Sequence, residues 1–433
     1  MARKMKDSGI EWIGEIPEGW EVLAHKYIMH KEKSICEHYS GEDVISLTLN
    51  GVVKRDLENP SGKMPTTFDG YQFVDPNDLL LCLFDIDVTP RCVGLVKDYG
   101  VTSPAYSRFK IHSGFCNAYY NYLLRFIDDE KVFVHLSKNL RSSLTESDFG
   151  AIKTIVPPKA EQQRIADYLD NRTFEIDILL SKARSSIEEY KKLKQAVITQ
   201  AVTKGVRGER EMKDSWVAWI GEIPKEWICE KIKYATSISR GLFNHRPRND
   251  ERYYNGKYPF IQTGDVANAT KYIVSYSQTL NELGKAVSKE FPKGTLTMTI
   301  AANVGDVAIL NFDAYFPDSV VGFIPNKNIR TLYLFYVFSS MKDEFTRTAI
   351  KSTQLNLNID RVKETFIPVT LNVNEQCEIE NYLESKCAEI DGLIAKKEQL
   401  VKELESYKKS LIYEVVTGKR EIFTDITRKF PNI

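Results

Sequence analysis

The chain has 433 residues, of which 42% are hydrophobic and 27% charged, a composition typical of globular proteins rather than disordered or fibrous ones. Because single cores stop growing at ~250–300 residues, we expect at least two domains. Lys+Arg and Asp+Glu both number 59, so nucleic acid could be bound only through local basic patches. No run approaches the ~18 apolar residues of a membrane span, and residues 1–20 lack the apolar stretch of a signal peptide, which predicts a cytoplasmic protein without a membrane partner.

The cysteine pattern argues against a disulfide framework. Seven cysteines, none in a Cys-x-x-Cys pair, are an odd count for such a framework in a cytosolic chain. We expect them to be buried small hydrophobic side chains. A zinc site is the alternative, but the cysteines and six scattered histidines lack ligand spacing, so no metal site is predicted.

The first predicted segment, residues 1–158, begins with the motif Trp12-Ile-Gly-Glu-Ile-Pro17. Apolar runs at 44–48 and 79–84 are rich in β-branched and aliphatic residues and predict strands, whereas 118–126 predicts a helix. We expect an α+β domain with a twisted, mainly antiparallel sheet.

The second segment, residues 159–207, follows Pro157-Pro158 and has helical periodicity. Apolar residues recur at steps of three and four, and Gly205 suits a C-terminal cap, so the pattern predicts a long helix with a coiled-coil seam. Arg172 and Lys194 interrupt the seam, and such polar positions fix register and partner at some cost in stability. The apolar seam residues are Ile165, Leu169, Ile176, Leu180 and Ile187.

The third segment, residues 208–370, resembles the first. The tryptophan motif returns as Trp219-Ile-Gly-Glu-Ile-Pro224, an offset of 207 from Trp12 to Trp219. Runs at 294–300 and 307–310 predict strands, and 332–345 predicts a helix. We therefore expect a second α+β domain.

The fourth segment, residues 371–433, repeats the second without a gap at an offset of 214, from Ile165 to Ile379. Lys386 and Lys408 take the places of Arg172 and Lys194. Leu371-Asn372-Val373-Asn374 replaces the Pro-Pro start, which leaves the beginning of this helix open. Its seam residues are Ile379, Leu383, Ile390, Ile394, Val401 and Leu404.

The two repeats make the chain pseudo-two-fold. A solvated single helix is the ordinary interpretation of one charged segment, but two copies with matching seams favour a coiled coil. Because the tryptophan motif recurs just after the first long helix, symmetry places the N-terminal segment beside the end of the second, near Gly418.

The chemical motifs of enzymes are missing. The sequence contains no phosphate-binding loop, G-x-S-x-G elbow or H-E-x-x-H motif. Ser103-Pro104-Ala105-Tyr106 superficially resembles the segment with which amino-methyltransferases hold a flipped adenine, but no cofactor-binding glycine pattern lies nearby. We interpret it as a turn at a strand end, and the chain as non-catalytic.

Several segments could contact DNA, since Arg fits guanine and Asn or Gln fits adenine in the major groove. Residues 239–249 are basic and rich in turn formers, although a solvated loop is an equal alternative. Asn50-Gly51 is also explained as a hairpin turn, and Asn358 as a helix cap. The candidate DNA-binding residues are Asn50, Lys54, Arg55, Tyr106, Arg240, Asn244, His245, Arg246, Arg248, Gln354 and Asn356.

The arrangement resembles the specificity subunits of type I restriction-modification systems over nearly the whole chain. The two tryptophan motifs carry the resemblance, as do Pro157-Pro-x-x-Glu-Gln-x-x-Ile165 and the helix endings 201–205 and 415–419. The resemblance implies two tandem target-recognition domains, separated by two long helices that form an antiparallel coiled coil, each domain reading one half of a split, asymmetric DNA site.

The resemblance also implies the partners. Two methyltransferase subunits would dock on the helices and methylate adenine N6, and restriction translocase-nuclease subunits would join for cleavage. S-adenosylmethionine, ATP and Mg would then be bound by those partners, with no cofactor on this chain. Two rival hypotheses are a coiled-coil scaffold whose globular domains bind protein, and a self-contained DNA methyltransferase, which the missing cofactor motif disfavours.

Overall fold

The computed structural model describes residues 3–49, 51–60, 65–89, 91–137, 142–348, 350–351 and 355–422. The chain divides into two compact units, residues 1–183 with 399–433 and residues 184–398. Each unit contains one α+β domain and parts of two long helices.

The first unit opens with a hairpin and closes its domain with a strand pair. Its strands are β1 (Met5–Asp7), β2 (Glu15–Pro17), β3 (Glu21–Ala24), β4 (Met29–Lys31), β5 (Val44–Thr48), β6 (Gly51–Lys54), β7 (Gln72–Val74), β8 (Leu79–Leu81), β9 (Val93–Leu95), β10 (Gly100–Thr102), β11 (Ser107–Ile111) and β12 (Lys153–Val156). A 3-10 turn covers His25–Tyr27, and the helices are α1 (Asn117–Asp129), α2 (Val132–Leu136), α3 (Glu146–Ala151) and the long α4 (Lys159–Lys204).

The first domain contains two four-stranded sheets, ordered β6-β5-β10-β7 and β4-β11-β8-β9. Only β5 and β10 run parallel among these pairs in the described residues. Tyr119, Leu123 and Ile127 recur at helical spacing on α1 and are buried against Leu79 and Phe109 of the second sheet. The mainly antiparallel α+β fold expected from the sequence is confirmed.

The second unit repeats this order with additional short elements. Its strands are β13 (Met212–Asp214), β14 (Glu222–Pro224), β15 (Ile228–Lys231), β16 (Thr236–Arg240), β17 (Tyr254–Phe260), β18 (Tyr272–Ile273), β19 (Gln278–Leu280), β20 (Glu290–Phe291), β21 (Leu296–Thr299), β22 (Val307–Leu310), β23 (Ala314–Tyr315), β24 (Val320–Pro325), β25 (Ile350–Lys351), β26 (Leu355–Asn356) and β27 (Phe366–Val369). A 3-10 turn covers Glu251–Tyr253, and the helices are α5 (Ile232–Ala235), α6 (Thr263–Asn268), α7 (Glu282–Ala286), α8 (Thr331–Ser340), α9 (Lys342–Thr348), α10 (Ile359–Glu364) and the long α11 (Val373–Val416).

The two domains share one topology. In the second, the sheets are ordered β19-β17-β23-β20 and β16-β24-β21-β22-β18, the same pairing pattern with one strand added. A strand pair closes each domain, with Glu21 opposite Val156 in the first and Ile228 opposite Val369 in the second. The sequence repeat is therefore a repeat of fold.

The long helices follow the predicted seams. Five seam residues of α4 and the first three of α11 are at most 8% exposed, whereas Ile394, Val401 and Leu404 are half-buried. In the first unit, Leu169 and Leu180 of α4 share a core with Leu411 of α11. The helical seam is confirmed, although Lys386 at a seam position is exposed.

The ends of both helices have local causes. The α4 helix begins directly after Pro157-Pro158, and Asn372 caps α11 by accepting the backbone N–H of Asn374 at 3.1 Å. Gly205 and Gly418 follow the helices with φ of +74° and +72°, the left-handed conformation that favours glycine.

Equivalent glutamates, Glu161 partly buried and Glu375 fully buried, join each N-terminal hairpin to a helix start. Trp20 Nε1 donates to Glu161 at 3.0 Å, and Arg3 pairs with the same carboxylate at 2.7 Å. In the second unit Trp227 and Arg210 hold Glu375 at 3.1 and 2.6 Å. These contacts repeat at the offsets seen in the sequence.

The N-terminal hairpin lies beside Gly418, as predicted. A Cβ built on Gly418 would lie 2.6 Å from Pro17 and 2.8 Å from Trp20, so only glycine fits this approach.

Two sequence expectations need correction. Cys229 and Cys377 are only half-buried; the other five cysteines are buried, and all seven are free. The predicted helix at 332–345 is two helices, α8 and α9, because the backbone leaves helical geometry at Met341, where φ is −99° and ψ is 5°.

In the described part of the chain, no helix is both long and apolar enough to cross a membrane. The same residues contain no group of three or more His, Cys, Asp or Glu side chains arranged to hold a metal ion.

Candidate nucleic-acid interface

The basic segment 239–249, here called the arginine loop, leaves β16 along a tightly packed path. A Cβ on Gly241 would lie 2.2 Å from the carbonyl oxygen of Pro317, so the chain can pass this turn only as glycine. Phe243 is buried and packs on Phe260 with ring centroids 5.4 Å apart. The loop therefore has a fixed apolar base beneath exposed polar residues.

Three arginines of the loop surround Asp318. Arg240 Nε donates to the Asp318 carbonyl oxygen at 2.5 Å, and Arg248 forms a short ion pair with its carboxylate. Arg246 lies 3.8 Å from the other carboxylate oxygen and also donates to the carbonyl oxygens of Phe243 and His245. With side chains 55% and 46% exposed, Arg246 and Arg248 remain accessible to a ligand.

His245 stiffens the far side of the loop. Its Nε2 lies 2.9 Å from Asp250, and its ring stacks on Tyr253 at a centroid distance of 3.9 Å. Hydrogen bonds from Arg252 hold the pKa of Asp250 well below its usual range, so the carboxylate stays charged. The backbone N–H of Asn244 donates to Val287, which leaves its exposed side chain on the surface.

Two of the candidates in the first domain, Asn50 and Lys54, belong to the hairpin segment of β5 and β6. Strands β5 and β6 form a hairpin with Thr48 opposite Gly51, which favours the turn interpretation of this segment. Lys54 pairs with Asp43 at 2.5 Å. Asn50 lies outside the described residues.

Tyr106 is half-buried, and the charge of Arg55 acts on its hydroxyl. Burial raises the pKa of the half-buried Tyr106 hydroxyl, and the positive charge of Arg55 opposes that rise. The peptide N–H of Tyr106 donates to Ser103 at 3.1 Å, which forms the turn predicted before β11.

The candidates near residue 356 are not brought into the arginine loop by any described contact. Gln354 lies outside the described residues, and Asn356 belongs to β26, whose backbone alone is described. Asn358 caps α10 by accepting the backbone N–H of Asp360 at 2.8 Å, as the alternative interpretation predicted.

Sequence reasoning missed Asp318. This residue lies in the turn before β24, and β24 pairs with β16 as β11 pairs with β4. The turns at 103–106 and 316–319 are thus equivalent, and both contain a proline, Pro104 and Pro317. The shared proline was the sequence signal that the two turns are equivalent. It could not indicate that Asp318 pairs with Arg248, 70 residues away.

Each unit also has a groove along the last turns of a long helix. The groove in the second unit, about 700 Å³, is lined by Lys192, Gln195, Ala196 and Thr199 of α4. The groove in the first, about 610 Å³, is lined by the residues at offset 214 on α11, which are Ser406, Lys409, Ser410 and Tyr413. The helices therefore present equivalent surfaces.

Known proteins match this architecture in sequence. A family model described as the type I restriction modification DNA specificity domain matches residues 241–403. The chain is 25% identical over 313 residues to the putative type I restriction enzyme MjaX specificity subunit of Methanocaldococcus jannaschii, which covers 71% of this chain and 68% of that protein. The MjaIX specificity subunit of the same organism is 30% identical over 168 residues, 37% of this chain and 38% of that protein.

Solved structures match it in fold. One is described as the structural basis underlying complex assembly and conformational transition of the type I R-M system; the match has a TM-score of 0.72 at 14% identity and covers 94% of this chain and 99% of that chain. The HsdS subunit from Thermoanaerobacter tengcongensis matches with a TM-score of 0.51 at 14% identity, over 94% of this chain and 98% of that chain. Residues 241–403 therefore match the type I restriction modification DNA specificity domain, and the whole chain is similar to type I restriction-modification specificity subunits in sequence and in fold.

Proposed function

We propose that the chain selects the DNA sequence for a type I restriction-modification complex, with each α+β domain reading one half of a bipartite, asymmetric site. The observation that carries this proposal is the duplication of one domain topology, which gives one chain two separate reading surfaces. The accessible arginine loop supports it in the second domain, because guanidinium groups bind both guanine edges and phosphates.

The partners and chemistry follow from the same proposal. Two copies of a methyltransferase subunit dock on the long helices, and restriction translocase-nuclease subunits complete the complex. The equivalent grooves at Lys192–Thr199 and Ser406–Tyr413 support two copies, since a repeated surface accepts the same partner twice. Those partner subunits bind S-adenosylmethionine, ATP and Mg²⁺, while this chain is non-catalytic.

The test measures duplex binding by the full chain at several salt concentrations. The DNA probe carries the motif found by mapping N6-methyladenine in source cells with and without the gene. The double variant with Arg246→Ala and Arg248→Ala should bind more weakly, by about 1–3 kcal/mol for each base edge that an arginine reads. If they hold only phosphates, the slope of log affinity against log salt should fall by about 0.9 for each phosphate that an arginine neutralises.

A charge-matched control keeps the result interpretable. Arg347 and Lys363 pair within their own helices, with Glu344 at 2.7 Å and Asp360 at 3.0 Å. Replacing both with Ala removes the same charge and should leave motif binding nearly unchanged. Failure of the wild-type chain to bind duplex DNA, alone or with its partners, would contradict the proposed function itself.

A further inference from the structure

Asp318 is an acidic residue at the centre of a surface proposed to bind a polyanion. Its carboxylate contacts Arg246 and Arg248, and its backbone oxygen accepts from Arg240. The Asp318 side chain is one-third exposed. A negative charge in this place opposes phosphate binding, so it needs an explanation other than affinity.

The turn does not require a carboxylate. The equivalent turn of the first domain, Ser103-Pro104-Ala105-Tyr106, forms without any acidic residue. In the second domain, the turn is closed by backbone contacts, the N–H of Val320 donating to Pro317 at 3.0 Å. The carboxylate of Asp318 is therefore available for a role in the arginine loop.

The ion pairs of Asp318 are of the kind that DNA can displace. Partly exposed ion pairs contribute little to stability, so the arginines are oriented without being locked. A phosphate approaching the loop would replace one anion with another while still meeting the repulsion of the carboxylate. A guanine edge offers neutral acceptors at O6 and N7 and meets no such repulsion.

We propose that Asp318 is a positioning residue for specificity, which holds the arginine loop ready for base edges and penalises binding to phosphates alone. The inference rests on the proposed function and assigns one source of selectivity within the second domain. Selectivity of this type appears as weak binding to random DNA rather than as strong binding to the motif.

The experiment compares Asp318→Asn with the wild-type full chain on two duplexes of equal length, one with the motif and one of random sequence. Removing a unit charge about 4 Å from a phosphate should raise affinity for random DNA about fivefold. The salt slope on random DNA should steepen by about 0.9 for each further phosphate that the variant neutralises. The ratio of motif to random affinity should fall, and Asp318→Glu should restore it.

Glu364→Gln is the matched control. Glu364 is a half-exposed carboxylate of the same unit, shared by Lys231 and Lys233 at 2.7 and 2.6 Å. The inference predicts that this variant keeps the wild-type ratio. An equal loss of selectivity in Glu364→Gln would show that net charge alone is responsible and would overturn the role of Asp318.

The remaining outcomes separate the two proposals. If the wild-type chain binds the motif selectively and Asp318→Asn matches it on both duplexes, the inference is wrong and the proposed function stands. Loss of binding to both duplexes by a variant with the wild-type melting temperature would also overturn it, because Asp318 would then support binding directly. If Asp318→Asn does not fold, Asp318→Glu is measured in its place. Altered selectivity in Asp318→Glu would then overturn the inference, because this variant keeps the carboxylate.

Discussion

His25 is a fully buried histidine whose counterpart in the repeat is an isoleucine. It follows β3 and donates its backbone N–H to Ile152 at 2.9 Å, as Ile232 follows β15 and donates to Thr365 at 3.0 Å. Its ring packs on Phe149 at a centroid distance of 4.6 Å. Burial lowers the pKa of His25 from 6.5 to about 4, so the folded chain holds the neutral ring.

This residue should make the first unit sensitive to acid. The unfolded chain binds the His25 proton more tightly than the folded chain does. The free energy of unfolding is therefore unaffected by this residue above about pH 6.5 and falls as the pH is lowered towards 4, by about 3 kcal/mol in total. The substitution His25→Ile copies the second domain and should flatten the stability profile in this window. The measurement is urea unfolding between pH 4 and 7, and an unchanged profile would contradict the assignment.

Individual residues of the site could be predicted from the sequence only where their role depends on nearby residues. The sequence indicated the arginine loop and the glycine caps, since composition and backbone conformation are local properties. It could not indicate that Glu161 pairs with Arg3, 158 residues away. Asp318 was missed for the same reason, because its meaning depends on a contact made by strand pairing.

At the scale of the elements, polar seam residues explain how the long helices keep their register. Lys194 of α4 pairs with Asp391 of α11 at 2.7 Å, and Lys408 of α11 pairs with Asp177 of α4 at 2.6 Å. The second pair is the first displaced by the repeat offset of 214. Each lysine occupies a seam position, where a partly buried charge limits alternative pairings at a cost in stability.

Replacing both Lys194 and Lys408 with Leu should therefore strengthen the seam and weaken its specificity. We expect a melting temperature higher by several degrees, because apolar side chains replace ion pairs that contribute only about 0–1 kcal/mol. Size-exclusion chromatography with light scattering should show self-association of the variant. Loss of stability without self-association would mean that the lysines support the helices by charge alone.

The long helices were more predictable than the sheets. A seam repeated at steps of three and four over 46 residues leaves little ambiguity, and Pro157-Pro158 marks its start. The start of α11 depends instead on the cap at Asn372, which the sequence left open. Many strands are only two to five residues long, and their order depends on distant pairings such as β5 with β10, which no local pattern encodes.

At the scale of the whole molecule, the strand pairs that close the domains define exchangeable modules. Residues 21–156 begin and end on β3 and β12, which pair with each other from Glu21 to Val156. Exchanging this module for the first recognition domain of another specificity subunit should change one half of the methylated motif and keep the other. Mapping methylated adenines in cells tests this, and a change in both halves would contradict independent reading.

The long helices should act as a ruler that sets the gap between the two half-sites. Residues of α4 and α11 belong to both units, and the division falls within one residue of equivalent places, between Ala183 and Arg184 and between Glu398 and Gln399. One heptad inserted at each place preserves both seams and lengthens each helix by roughly 10 Å. Because base pairs are spaced at ~3.4 Å, the methylated motif should keep both half-sites while its unspecified gap grows by about three base pairs.

The gap length distinguishes a ruler from an assembly surface. The proposed docking of methyltransferase subunits would require only that the equivalent grooves persist, so an assembly surface alone predicts no change in the gap. Because DNA twists as the gap lengthens, insertions of different length should be compared, and the motif should be mapped only from variants that still methylate. An active variant with both heptads and the original gap would refute the ruler, since the helices would then have lengthened without moving the half-sites apart.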